Sequence, residues 1–97
     1  MAIMEISVIP LGTCSTSFHG FVSEMQKALA ATGLPYALTD MGTIVEGDLD
    51  ALMSVARAVH EVPFLMGEKR VYTAIKIDDR RDKKVHLGQK IQSVEGV

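Results

Sequence analysis

The sequence predicts an α+β fold in which two helices cover one face of a four-stranded antiparallel sheet. Segments with strand-like alternation and segments with helical spacing of apolar residues follow one another in the order strand, helix, strand, strand, helix, strand. The chain has 97 residues, of which 47% are hydrophobic and 23% charged, as in an ordinary globular domain. We therefore expect one domain over residues 1–97, with the βαββαβ order of a ferredoxin-like sandwich.

The first half of the chain is predicted to form a strand, a helix and a hairpin. Residues 3–11 have an apolar even-numbered face and a partly polar odd-numbered face, which is typical of a half-buried strand. A helix capped within residues 15–17 should end at Gly33. Residues 36–46 are predicted to form two short strands, joined by a turn at residues 40–42.

The second half is predicted to form a helix, a strand and a polar tail. Asp48 is a suitable N-cap for the helix, and Gly67 a suitable end. Residues 70–78 alternate as a strand, with the β-branched side chains on one face. The tail from Asp82 is expected to form a short C-terminal helix or an extended arm.

The sheet face opposite the helices carries a mixture of apolar and polar side chains. Its predicted members are Glu5, Ser7, Ile9, Tyr72, Ala74 and Lys76. This set is too apolar for a solvated surface and too polar for a sealed core, so it predicts a subunit interface with a ligand pocket in or beside it.

Charge and hydropathy exclude several classes of protein. A formal net charge of −2 argues against a protein that neutralises nucleic-acid phosphates. No apolar run reaches the roughly 18 to 20 residues that cross a bilayer, and the first residues lack the basic region of a signal peptide. With Cys14 as its single cysteine, the chain has no intramolecular disulfide. We expect a cytoplasmic protein without nucleic-acid or membrane partners.

The hairpin from Tyr36 to Gly47 concentrates polar groups within an apolar sequence. Thr39, Thr43 and Glu46 are therefore candidate ligand contacts. The alternative is structural: the threonines are good strand formers, and Glu46 could form an ion pair at a strand end.

Metal binding and catalysis are not predicted. The three histidines have no Cys or second His at ligand spacing, and Cys14 has no evident partner His. In the run of residues 78–82 the flanking aspartates nearly cancel the charge of the two arginines, which predicts a solvated or intersubunit ion-pair network.

Three segments resemble a known family. EISVIPLGT near the start, YALTDMGTIVEG in the middle and RVYTAIKIDDRRDK near the end are similar to the small thiamine-binding, YkoF-like proteins. The resemblance covers nearly the whole chain. It implies a ferredoxin-like subunit, assembly into homodimers and commonly homotetramers, and binding of thiamine or its hydroxymethylpyrimidine part without known turnover. No other cofactor is expected.

Thiamine combines a thiazolium cation with an aminopyrimidine, whose amine donates hydrogen bonds while its ring nitrogens accept them. A site for it needs a carboxylate, hydroxyls and apolar walls. The candidate ligand-binding residues are Glu5, Ser7, Thr39, Met41, Thr43, Glu46 and Tyr72. We expect Glu46 to meet the amine or the cation, the hydroxyls to bond ring atoms, and Met41 or Tyr72 to cover a ring face.

Three functions remain open at this point. The leading hypothesis is a non-catalytic binding protein with thiamine or a related pyrimidine at or near a subunit interface. The second is a structural or regulatory homo-oligomer, akin to the ACT modules that share this topology. The third is an enzyme using Glu46 or Cys14, which would need an activated carboxyl or thiol that the sequence does not show.

Overall fold

The computed structural model of the protein describes residues 1–11 and 18–82. Six elements follow the predicted order: β1 (Ala2–Pro10), α1 (Phe18–Thr32), β2 (Tyr36–Thr39), β3 (Gly42–Gly47), α2 (Leu49–Leu65) and β4 (Val71–Asp79). The predicted C-terminal helix or arm and Cys14 lie outside the described residues.

The four strands form one antiparallel sheet in the order β2-β3-β1-β4. β1 occupies the centre and pairs with β3 on one side and along its whole length with β4 on the other. This is the strand order of a ferredoxin-like sandwich, so the predicted fold class is confirmed.

The core lies between the helices and one face of the sheet. Met4 and Ile6, on the even-numbered face of β1, are completely buried, as the alternation of β1 predicted. They belong to the same apolar cluster as Leu29 of α1 and Leu52 of α2. Burial of this face is what holds the helices on the sheet.

The element ends agree with the predicted ones to within a few residues. Gly33 follows α1 with a φ of 74°, the left-handed conformation that glycine adopts without a steric penalty. Asp48 is the N-cap residue of α2, although its side chain makes no capping hydrogen bond. α2 ends at Leu65, and Gly67, with a φ of 97°, completes the turn that leaves it.

Candidate functional site

A cavity of about 500 Å³ lies where α1 passes over the end of β1 and the tip of the β2–β3 hairpin. Its described lining comes from residues 6–9 of β1, residues 38–43 of the hairpin, and Phe21, Val22 and Met25 of α1. Most of this lining is apolar, because much of it belongs to the side of the sheet that faces the helices.

Thr43 is the buried polar residue of this cavity. It pairs with Ile6 of β1 and Leu38 of β2, and only 5% of its surface is exposed. Its hydroxyl makes no hydrogen bond with any residue in the described ranges. In those ranges no fully enclosed side-chain nitrogen or oxygen lacks a partner, so the Thr43 oxygen must open onto the cavity.

Thr39 uses its hydroxyl inside the hairpin turn. The Thr39 Oγ1 accepts hydrogen bonds from the backbone N–H groups of Met41 (3.2 Å) and Gly42 (3.1 Å). It also donates to the carbonyl oxygen of Gly42 at 2.7 Å. This side chain therefore organises the turn that forms one rim of the cavity.

Ser7 connects β1 to the same turn. Its Oγ donates a hydrogen bond to the carbonyl oxygen of Met41 at 2.9 Å. The Met41 side chain, which lines the cavity, is 81% exposed. The hydroxyls of Ser7 and Thr39 thus hold the Met41 backbone, while its thioether side chain remains free to contact a ligand.

Gly42 permits this close approach between the hairpin and β1. A Cβ at this position would lie 2.8 Å from the Ser7 Oγ, 3.1 Å from the Ile6 carbonyl oxygen and 3.4 Å from the Glu5 Cγ. A side chain here would push the hairpin tip away from the strand. The sequence predicted Gly42 as a turn residue but not as a point of contact with β1.

Three predicted site residues lie outside the cavity, on the sheet face that points away from the helices. Glu46 is only 6% exposed and pairs with Ile3 at the far end of β3. Glu5 lies opposite Lys76, and Tyr72 is 59% exposed on β4. The structure therefore brings Ser7, Thr39, Met41 and Thr43 together and leaves Glu5, Glu46 and Tyr72 on the open face.

The sequence reasoning missed the contribution of α1 to the cavity. Phe21, which is 4% exposed, and Met25 lie one helical turn apart and cover the cavity from above the sheet. Their i, i+4 spacing is visible in the sequence. Nothing local shows that this part of α1 packs over the hairpin. Asp40, the one charged lining residue among those described, is exposed at the rim.

The acidic and basic run after β4 forms local, exposed ion pairs. Asp79 pairs with Arg81 at 2.9 Å and Arg80 with Asp82 at 2.7 Å, as the predicted solvated network requires. The hydrogen bond from Arg81 lowers the pKa of Asp79, and the hydrogen bond to Asp82 raises the pKa of Arg80. These groups lie far along the sheet from the cavity.

The His60 side chain contacts other side chains of the fold and does not line the cavity. Its Nδ1 lies 2.7 Å from the Thr73 Oγ1, and its ring meets Phe64 edge to face at 5.5 Å. The contact with Thr73 joins α2 to β4, whereas the contact with Phe64 lies within α2. Within residues 1–11 and 18–82 we find no group of three side chains suited to a metal ion and no helix with the length and hydropathy to span a membrane.

The profile of a family described as "Thiamine-binding protein" matches residues 4–95. The chain belongs to the thiamine-binding protein family. UPF0045 protein YqgV of Bacillus subtilis is 47% identical over 98 residues, which cover 97% of this chain and 94% of that protein. The predicted resemblance is thereby confirmed.

Solved structures support the same fold for this member of the thiamine-binding protein family. A hypothetical protein of Methanocaldococcus jannaschii superposes with a TM-score of 0.83 at 29% identity, over 99% of this chain and 97% of that one. A proposed thiamine biosynthesis/salvage protein of Thermotoga maritima gives a TM-score of 0.73 at 19% identity, over 96% and 97% of the two chains. At that identity the likeness shows the fold alone.

Proposed function

We propose that the protein binds thiamine, or its hydroxymethylpyrimidine part, in the cavity between α1 and the hairpin, without chemical turnover. Family membership supports a small-molecule-binding role. The observation that carries the proposal is the Thr43 hydroxyl, which lines the cavity, is almost fully buried and has no hydrogen-bond partner in the described part of the chain.

The shape and chemistry of the cavity suit an aminopyrimidine. Its volume of about 500 Å³ is typical of small-molecule sites, which combine apolar walls with a few placed polar groups. A threonine hydroxyl both donates and accepts, so Thr43 could bond either the exocyclic amine or a ring nitrogen. Asp40 at the rim would favour a ligand that carries a positive charge, such as a thiazolium.

The groups that face the cavity in the described part of the chain support binding without catalysis. Its described lining contains no His, Cys or Lys, and its one carboxylate, Asp40, is exposed at the rim. The hydroxyls of Ser7 and Thr39 donate to backbone carbonyls of the hairpin. Chemical turnover would need an activated group, whereas binding needs only shape and a matched hydrogen bond.

We also propose that the protein assembles into a homodimer, and further into a homotetramer, through its open sheet face. Ile9 and Tyr72 face each other across β1 and β4 on this face, and both are exposed apolar side chains. Ile9 also lines the cavity, so a second copy covering this face would lie beside the ligand. Burial of this apolar surface would stabilise a subunit of this size.

Light scattering on Tyr72→Glu tests the assembly, because a carboxylate at this position would be costly to bury in an interface. We expect the variant to have a lower molar mass than the wild-type oligomer. Unchanged oligomers in the variant would move the interface elsewhere.

Titration calorimetry with thiamine and with hydroxymethylpyrimidine tests the binding function. We expect saturable binding with a negative heat-capacity change, since apolar surface is buried. Light scattering on the same samples shows whether the oligomer is intact. An intact oligomer that binds neither ligand would favour the alternative of a structural or regulatory assembly.

A further inference from the structure

We infer that Ser7 and Thr39 are positioning residues that hold Met41 in place to pack against the bound ligand. This inference rests on the proposed function. Sequence reasoning assigned these hydroxyls to the ligand itself. In the structure each hydroxyl is instead engaged with the backbone of the hairpin tip.

The turn between β2 and β3 lacks the backbone conformation of the most favourable two-residue hairpin turns. Its loop residues are Asp40 and Met41, and no non-glycine residue in the described ranges has a positive φ. The two-residue turns that best match the twist of two antiparallel strands require positive φ. The turn at Asp40 and Met41 is not of these types, so its backbone matches the twist of β2 and β3 less well. The three hydrogen bonds of the Thr39 hydroxyl compensate by closing the turn through a side chain.

A second hydrogen bond to the hairpin tip comes from β1. Regular pairing between β1 and β3 ends at Ile6 and Thr43. The next residue of β1, Ser7, continues the connection through its side chain by donating to the Met41 carbonyl. The peptide groups of Met41 are thus held on the N–H side by Thr39 and on the carbonyl side by Ser7.

An exposed apolar side chain on a rigid backbone is suited to binding a ligand. Met41 is 81% exposed although its side chain is large and apolar. Because its backbone is already fixed, ligand contact would order only the side chain, which lowers the entropic cost of binding. A thioether packs favourably against an aromatic ring, and so matches a flat heterocycle such as an aminopyrimidine.

Four variants test the inference. Thr39→Val removes the hydroxyl at nearly constant shape, Thr39→Ser keeps it, and Met41→Ala removes the contact itself. Met53→Ala is the matched control, because Met53 is 49% exposed on α2 and does not line the cavity. For each variant we would measure the thiamine dissociation constant and the amide hydrogen exchange of Met41 and Gly42 by NMR.

We expect Thr39→Val to speed exchange at Met41 and Gly42 and to weaken thiamine binding, each by roughly fivefold, the worth of one net hydrogen bond. Thr39→Ser should restore both properties. Met41→Ala should weaken binding by a similar factor without speeding exchange at Gly42, and Met53→Ala should change neither. Equal weakening by Thr39→Ser and Thr39→Val would overturn the inference, since the hydroxyl would then be irrelevant.

The outcomes separate this inference from the proposed function. If the wild-type protein binds thiamine and both Thr39→Val and Met41→Ala bind it equally well, the positioning role is wrong while the binding function stands. If the wild-type protein binds neither thiamine nor hydroxymethylpyrimidine, the proposed function fails and the role assigned to Met41 fails with it.

Discussion

Replacing Thr43 with valine should separate ligand binding from stability, because the two side chains have nearly the same shape. Thr43 is 5% exposed, and its hydroxyl has no partner among the described residues. The substitution therefore does not leave a buried donor or acceptor elsewhere in the protein without a hydrogen-bond partner. Such an unpaired group is the usual cause of a large loss in the free energy of unfolding.

The expected magnitudes differ sharply between the two properties. A neutral hydrogen bond to a ligand contributes about 0.5–1.5 kcal/mol, so its loss should raise the dissociation constant for thiamine by roughly two- to tenfold. The melting temperature should remain within about 3 °C of the wild-type value, since 1 kcal/mol corresponds to about 4–8 °C in a domain of this size.

Thr73→Val provides the matched control. Thr73 lies on β4, on the same face of the sheet as Thr43, but its hydroxyl is 2.7 Å from the Nδ1 of His60. Removing it should lower the melting temperature by about 4–8 °C and leave thiamine affinity unchanged. Calorimetric titration and thermal denaturation of both variants measure the two properties.

The opposite pattern would refute the reasoning. If Thr43→Val melts as early as Thr73→Val and binds thiamine like the wild-type protein, the Thr43 hydroxyl stabilises the fold and does not contact the ligand. The cavity would then lose the polar group on which the proposed function depends.

The remaining predictions concern the core, the hairpin and the charged end of the sheet. Leu52→Ala, at a fully buried position, should lower the free energy of unfolding by about 2–5 kcal/mol, as measured by urea denaturation. Gly42→Ala should displace Ser7, whose Oγ would lie 2.8 Å from the new Cβ, and cost about 1–3 kcal/mol by the same measurement, with NMR shift changes confined to the hairpin and β1. Arg81→Gln should raise the pKa of Asp79, which the hydrogen bond from Arg81 lowers in the folded protein, as followed by NMR titration of the carboxyl group. Because the folded pKa lies below the ordinary value of 3.8, this pair stabilises the fold above that pH and the contribution disappears as pH falls through the folded pKa; Arg81→Gln should abolish that dependence.

The assembly of the site shows why part of it escaped prediction from the sequence. Thr43, Thr39 and Met41 were identified because a short hairpin rich in polar groups stands out locally. The role of Thr39 in closing the turn was not predicted, because a hydroxyl in a strand looks the same in the sequence whether it bonds a ligand or a turn. Phe21 was missed because only the packing of α1 on the sheet brings it over the hairpin.

The sequence by itself determined the elements, their order and which face of β1 is buried. These properties depend on alternation, helical spacing and capping residues such as Gly33, all of which act over a few neighbouring residues. Only the tertiary structure decided where the cavity lies and which hydroxyls remain available within it. Ser7 reaches Met41 across 34 positions of the chain, and such contacts follow from strand register and helix packing, which the burial of the whole core selects.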